Sequence, residues 1–154
     1  AMIALATTGR SLPATPPAAM ERVRALEAQV QALPQVQIPT DHVIHAGLYA
    51  RTIRIPVDVI LTGAEISCAT LLIVSGHVAV TVGDDTQELI GYHVLPAAAG
   101  RKQAFLALAD TDLTMLFATD ARDIATAEGQ FTTEPERLMS RAPDAINIVT
   151  ITRG

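Results

Sequence analysis

The feature that most constrains this chain is the two-residue alternation of aliphatic and β-branched residues between Val36 and about Phe117. Ile53, Ile55, Val57, Val59 and Leu61 keep one parity, as do Val78, Val80 and Val82, and then Leu113, Met115 and Phe117. Successive side chains of an extended strand face opposite ways, so this spacing predicts strands with one face turned to a core. Turn residues interrupt it at Ile55–Asp58, Leu61–Gly63, Val74–Gly76, Gly83–Asp85 and Ala99–Lys102. No helical period lies between the strands, which argues against a parallel α/β sheet. Many short strands at this spacing predict an all-β sandwich or closed barrel.

The flanks read differently. Residues 1–19 are rich in Ala, Thr and Pro, with Pro13, Pro16 and Pro17 in the second half. That composition predicts an extended arm with no helix, whose apolar start (Met2, Ile3, Leu5) suits docking on a partner. Residues 20–34 change register: Met20, Val23, Leu26, Val30 and Leu33 recur at three- and four-residue spacing, which places them on one face of a helix that stops at Pro34. So short a helix is marginal alone in water. Its stripe is expected either on the chain's own barrel or in a short coiled coil between subunits. The barrel domain is expected over 35–139, its Asp120–Met139 end polar and partly helical. The tail, 140–154, carries a β-branched run around Ile146 and Ile148 that predicts a last strand, either closing its own sheet or adding to a neighbour's.

Composition narrows the functions. The net charge is −5 and no basic run occurs, which argues against a nucleic-acid partner, since phosphate backbones are bound through surplus Lys and Arg. Aromatics are 3% of residues, too few for stacking platforms. The single cysteine, Cys68, excludes an intramolecular disulfide and reads as a buried, inert thiol. No stretch approaches the roughly 18 consecutive apolar residues of a membrane-spanning helix. The apolar N-terminus lacks the basic residues of a signal peptide, so a soluble protein made in the cytoplasm is expected.

Several segments, in order, resemble a known group. They are His45–Pro56, Gly63, Leu71–Val80, Leu95-Pro96, Gly100–Gln103 and Leu108–Met115, preceded by Leu33-Pro34-Gln35-Val36 and followed by the polar stretch Thr119–Phe131. The set is similar to small cupin proteins encoded by tailed bacteriophages and prophages, over roughly residues 22–139. The resemblance implies a cupin-type jelly-roll β-barrel or sandwich, preceded by the arm and one short helix and followed by a C-terminal strand extension. Metal-dependent cupins carry histidines and a carboxylate around the first glycine turn and a further histidine in the second motif. Here Gly63–Leu71 offers only Glu65, and Gly100–Leu108 offers no ligand. One carboxylate does not hold a transition metal. The metal site reads as dismantled, with no cofactor expected and Glu65 left as a degenerate pocket candidate, or else a strand-surface carboxylate.

Other constellations are weak. His42 and His45 are three apart, a ligand spacing only on a helix, and Pro39 and Gly47 oppose one; His77 falls just after a turn glycine and His93 in a loop or strand start. Ser67 and Ser75 lie in no nucleophile elbow. Asp84-Asp85 and Arg101-Lys102 both read as solvated turns. Two expectations follow. The first is a non-enzymatic phage structural protein, a capsid-decorating, cementing or tail-accessory component of the virion. It would self-associate as a dimer or trimer and join other phage structural proteins through Met2, Ile3, Leu5, the helix stripe, Ile146 and Ile148. The second is a cupin that binds or turns over a small molecule in the barrel mouth.

Overall fold

The structure is a computed structural model that describes residues 10–153. In chain order the elements are α1 (Pro17–Gln31), β1 (Thr40–His45), β2 (Leu48–Ile55), β3 (Ile60–Thr62), β4 (Thr70–Val82), β5 (Asp85–Ala97), β6 (Ala104–Ala107), β7 (Thr111–Ala118), α2 (Ile124–Phe131) and β8 (Asn147–Ile151), with two 3-10 turns at Pro135–Arg137 and Met139–Arg141. The strands form one curled sheet in the order β3-β6-β4-β7-β2-β1-β8, and β5 pairs with the other edge of β4. All pairings are antiparallel except β1 with β8.

Strand β4 curls the sheet. Its first half, Leu71–Ser75, pairs with β7, and Val78–Val80 pair with β6. Gly76 sits at the change of partner with φ 145°, and a Cβ there would lie 2.7 Å from the Asp110 carbonyl oxygen and 2.8 Å from Thr111 Cα. Only glycine takes that conformation at that distance without moving the neighbouring strand. The hairpins use short turns: Ala46 and Gly47 take positive φ (53° and 73°) between β1 and β2, and Gly83 (59°) does so between β4 and β5. The alternation read from sequence is the burial pattern observed. Leu72, Val74, Val78 and Val80 face the core from β4, and Leu113, Met115 and Phe117 from β7.

Two expectations about the N-terminal region are corrected. The helix begins at Pro17, inside the stretch read as unable to be helical, and ends at Gln31. Proline is accepted in the first turn because the N–H it lacks has no intrahelical partner there. The described part of the arm is not free either. Leu12 is 2% exposed and packs in the barrel core, and its backbone bonds Pro96 and Ala98 beside β5. Burying a leucine contributes about 1.5–3 kcal/mol, which holds the arm on its own barrel. The helix stripe is likewise covered within the chain. Val23 and the adjacent Ala19 are buried, while Met20, Leu26 and Val30 are half-buried. Leu33, beyond the helix, is exposed. The helix lies against β3 and is tied down by Arg24–Glu65, Arg22–Asp84 and Lys102–Glu27 ion pairs. Val23 is therefore not available to a second subunit.

The barrel strands end at Ala118, and α2 follows. Its start is capped by Asp123, which accepts from the Thr126 N–H. Strand β8 joins its own sheet, parallel to β1, and forms an outer edge with all five residues exposed.

Candidate functional site

The alternation that builds the strands also decides what faces the barrel interior. Ala64 and Ile66 line a half-open cavity of about 120 Å³ in the barrel. Glu65 lies between them and points the other way, where its carboxylate meets the Arg24 guanidinium at 2.7 Å, half-exposed. The expectation of Glu65 as a pocket group is corrected: it fastens α1 to the barrel.

The polar side chains of the cavity are Arg51, Arg101 and Gln103, set among Ile53, Leu72, Phe105, Leu113 and Met115. Arg101 and its neighbour Lys102, read from sequence as a solvated turn, are each only 3% exposed. Lys102 donates to Glu27 and to the Gly63 carbonyl, both at 2.7 Å. Arg101 Nη1 donates to the Ala98 carbonyl at 2.7 Å and Nη2 to Thr70 Oγ1 at 2.6 Å, and no carboxylate among the described residues pairs with it. Burial pushes its guanidinium down to about 10, the Cys68 thiol acting weakly the other way. Nothing in the spacing of Gly100-Arg101-Lys102 marks these side chains as internal. They are turned inward because β3, β6 and α1 close over them.

A divalent metal does not fit this donor set. Among the described residues no three His, Cys, Asp or Glu side chains converge, and two guanidiniums line the space a cation would enter.

Arg51 also belongs to a buried polar network missed in the sequence. Its Nη1 meets Glu128 at 2.9 Å and its Nη2 donates to Ser140 at 3.0 Å, while Arg141 Nε holds the other Glu128 oxygen at 2.8 Å. Ser140 also donates to Glu128. Burial alone would raise the Glu128 carboxyl; the Ser140, Arg141 and Arg51 contacts reverse this and hold it below the usual carboxylate range. His42 extends the network to β8. Asn147 Nδ2 donates to the Ser140 carbonyl at 2.9 Å, which leaves Asn147 Oδ1 to accept from His42 Nε2 at 2.7 Å. His42 Nδ1 then accepts from the Tyr49 hydroxyl at 2.6 Å. Burial pushes His42 down and keeps it neutral, as this bonding requires.

The other histidines are exposed or half-exposed and locally bonded: His45 to Thr152, His77 to Glu88, and His93 to the Ile90 carbonyl at 2.8 Å. Burial pushes the Cys68 thiol up, as for an inert cysteine. Of the assembly candidates, Ile146 and Ile148 are exposed, and Met2, Ile3 and Leu5 lie outside the described residues.

The strand order and the curled sheet define an all-β, cupin-type jelly roll with one short N-terminal helix and a C-terminal strand. Solved structures similar to it include a cupin superfamily protein from Desulfitobacterium hafniense, 14% identical, covering 59% of this chain and 87% of that one, TM-score 0.45. KdgF from Halomonas sp. is 16% identical, covering 56% and 84%, TM-score 0.46. Salicylate 1,2-dioxygenase from Pseudaminobacter salicylatoxidans is 16% identical, covering 64% and 31%, TM-score 0.43. At these values the likeness concerns strand layout and nothing that those proteins do. No family model matches the chain, and no curated protein matches it.

Proposed function

We propose that the protein is a non-enzymatic structural component of a bacteriophage particle, an assembly block that self-associates and joins other phage structural proteins. The observation that carries the reading is the outer face of the sheet. Tyr92 and Ile90 are 68% and 65% exposed, and Val94, Leu71 and Leu48 are also open to solvent. The register joins them: Val94 stands opposite Ile73, and Pro96, Leu71, Leu116 and Ala50 follow one another across β5, β4, β7 and β2. Ile148 lies on the same face, separated from Ile73 by Asp41, Thr52 and Thr114. A monomer seldom leaves such an apolar surface uncovered. The phage setting rests on the ordered sequence resemblance, and the lack of a converging metal-ligand set among the described residues supports a scaffold over a metal-dependent enzyme.

The test has two parts. Light scattering of the purified chain gives a dimer or trimer, and Tyr92→Asp returns it to a monomer of unchanged fold. Mass spectrometry of purified particles from the encoding phage or prophage finds the chain at stoichiometric levels; a chain present only in the unassembled fraction refutes the virion role. The second reading, a small-molecule-binding cupin, is favoured by the barrel cavity alone.

A further inference from the structure

We propose that β8 pairs with β8 of a second copy, antiparallel about a two-fold axis at Val149, so that the two sheets become continuous. The inference rests on the self-associating role proposed above and names a second contact, on the strand edge, that extends the assembly beyond the outer face.

The sheet has three end strands, β3, β5 and β8. An open edge presents unpaired N–H and C=O groups, and chains protect it with a cover, a charge, a proline or a bulge. The helix α1 covers β3. Strand β5 carries Asp85, Glu88 and Pro96, takes a positive φ of 88° at Gly91 and is bridged by Leu12 at Ala97. Among the described residues β8 has no such protection. Residues 145–151 hold no charge, proline or glycine, and every residue of β8 is exposed. Its register with β1 runs unbroken from Asn147 to Ile151.

The backbone decides which groups are free. Thr40 N–H donates to the Ile146 carbonyl at 2.9 Å, and Thr152 N–H donates to the Ile44 carbonyl at 3.0 Å. Alternate residues of a strand bond the same neighbour, so Ile146, Ile148, Thr150 and Thr152 face β1. Asn147, Val149 and Ile151 turn their N–H and C=O groups to the open edge. That set is symmetric about Val149. A two-fold axis there sets Asn147 of one copy against Ile151 of the other, and Val149 against Val149, each pair exchanging both N–H···O bonds. Val149 meets itself as an uncharged, β-branched pair, which suits a sheet. A strand this short is far smaller than the roughly 20–30 residues a side of a stable interface. The edge therefore links copies already gathered through the outer face, where their effective concentration is high.

The experiment is oxidative cross-linking of the full chain carrying Val149→Cys, the linked peptides mapped by mass spectrometry. Ile151→Cys and the unaltered chain, whose Cys68 is half-buried, are the controls. At the axis the two Cα atoms of position 149 stand about 5.5 Å apart, within disulfide reach, whereas those of position 151 are more than about 13 Å apart. The expected result is about tenfold or more dimer linked 149-to-149 from Val149→Cys than dimer from Ile151→Cys. Light scattering at high concentration is expected to show species larger than the outer-face dimer or trimer. Val149→Lys and Val149→Glu each remove them by setting like charges opposite, and a mixture of the two restores them. Equal cross-linking at the two positions, no larger species, or larger species that persist in Val149→Lys would overturn the proposal. The 149-to-149 link reports the edge alone, while Tyr92→Asp and the particle analysis report the outer face and the virion role, so the two readings fail separately.

Discussion

On the β4–β5 side of the barrel the core is aliphatic but for Phe105, with Val74, Val78, Val80, Leu89 and Leu95 packed against Leu12 and Leu113. On the α2 side, Tyr49, Phe117 and Phe131 pack together, with Arg51 5.4 Å above the Phe131 ring and Glu128 and His42 buried alongside. Three of the chain's five Phe and Tyr residues are in this second half. The first half needs only shape and volume. The second must fasten two separate late segments, α2 and β8, to strands formed long before them in sequence, and it uses directional polar contacts for this. A hydrophobic face tolerates sliding, whereas a hydrogen-bonded carboxylate or imidazole accepts one register.

The comparison predicts different failure modes. The largest effect belongs to Glu128→Ala, which strands Arg51 and Arg141 without their carboxylate; urea denaturation is expected to show a loss of about 3–5 kcal/mol. Leu89→Ala in the aliphatic half is expected to cost about 3 kcal/mol by cavity formation, with a cost that is the same at pH 5 and pH 7. A marked pH dependence of the Leu89→Ala cost would undo the distinction between the halves.

As pH falls from neutral, acid should act first on the α2 side, through His42. The folded His42 pKa lies below its unfolded value near 6.5, so its contribution is complete above about pH 6.5 and declines as pH falls toward the folded value. Glu128, also depressed, contributes above its unfolded value near 4.5 and loses this as pH falls through the folded pKa. Hydrogen exchange at pH 5.5 should therefore show β8 and β1 opening before β4. His42→Leu leaves the Tyr49 hydroxyl proton and Asn147 Oδ1 without partners, costs about 1–3 kcal/mol at pH 7, and removes the slope that sets in below about pH 6.5. The smallest folding effect is expected for Ile148→Thr on the exposed edge strand, within about 0.5 kcal/mol. Light scattering should nevertheless show weakened self-association, separating assembly from stability.

Whereas the turn read at Val74–Gly76 is the uninterrupted middle of β4, the strand content, the inward parity of β4 and β7, the turn at Gly83 and the helical stripe were legible in the sequence. They depend on local sterics and on a period of two or three-and-a-half residues, which a linear string carries in full. The polar interior was not. Glu65 missed the cavity by a single position of alternation, since its neighbours Ala64 and Ile66 take the inward face. Arg101 and Lys102 looked like solvated turn residues, and Glu128 and Ser140 carried no motif. Whether a charge is buried depends on what lies across from it: Lys102 meets Glu27 from 75 positions away, and Arg51 meets Glu128 from 77. Such pairings form only once the sheet has curled and α1 and α2 have closed over it. The sequence by itself determined which residues form strands and which way they alternate. The tertiary structure alone decided which charges are buried together and that, among the described residues, Arg101 is buried without a carboxylate.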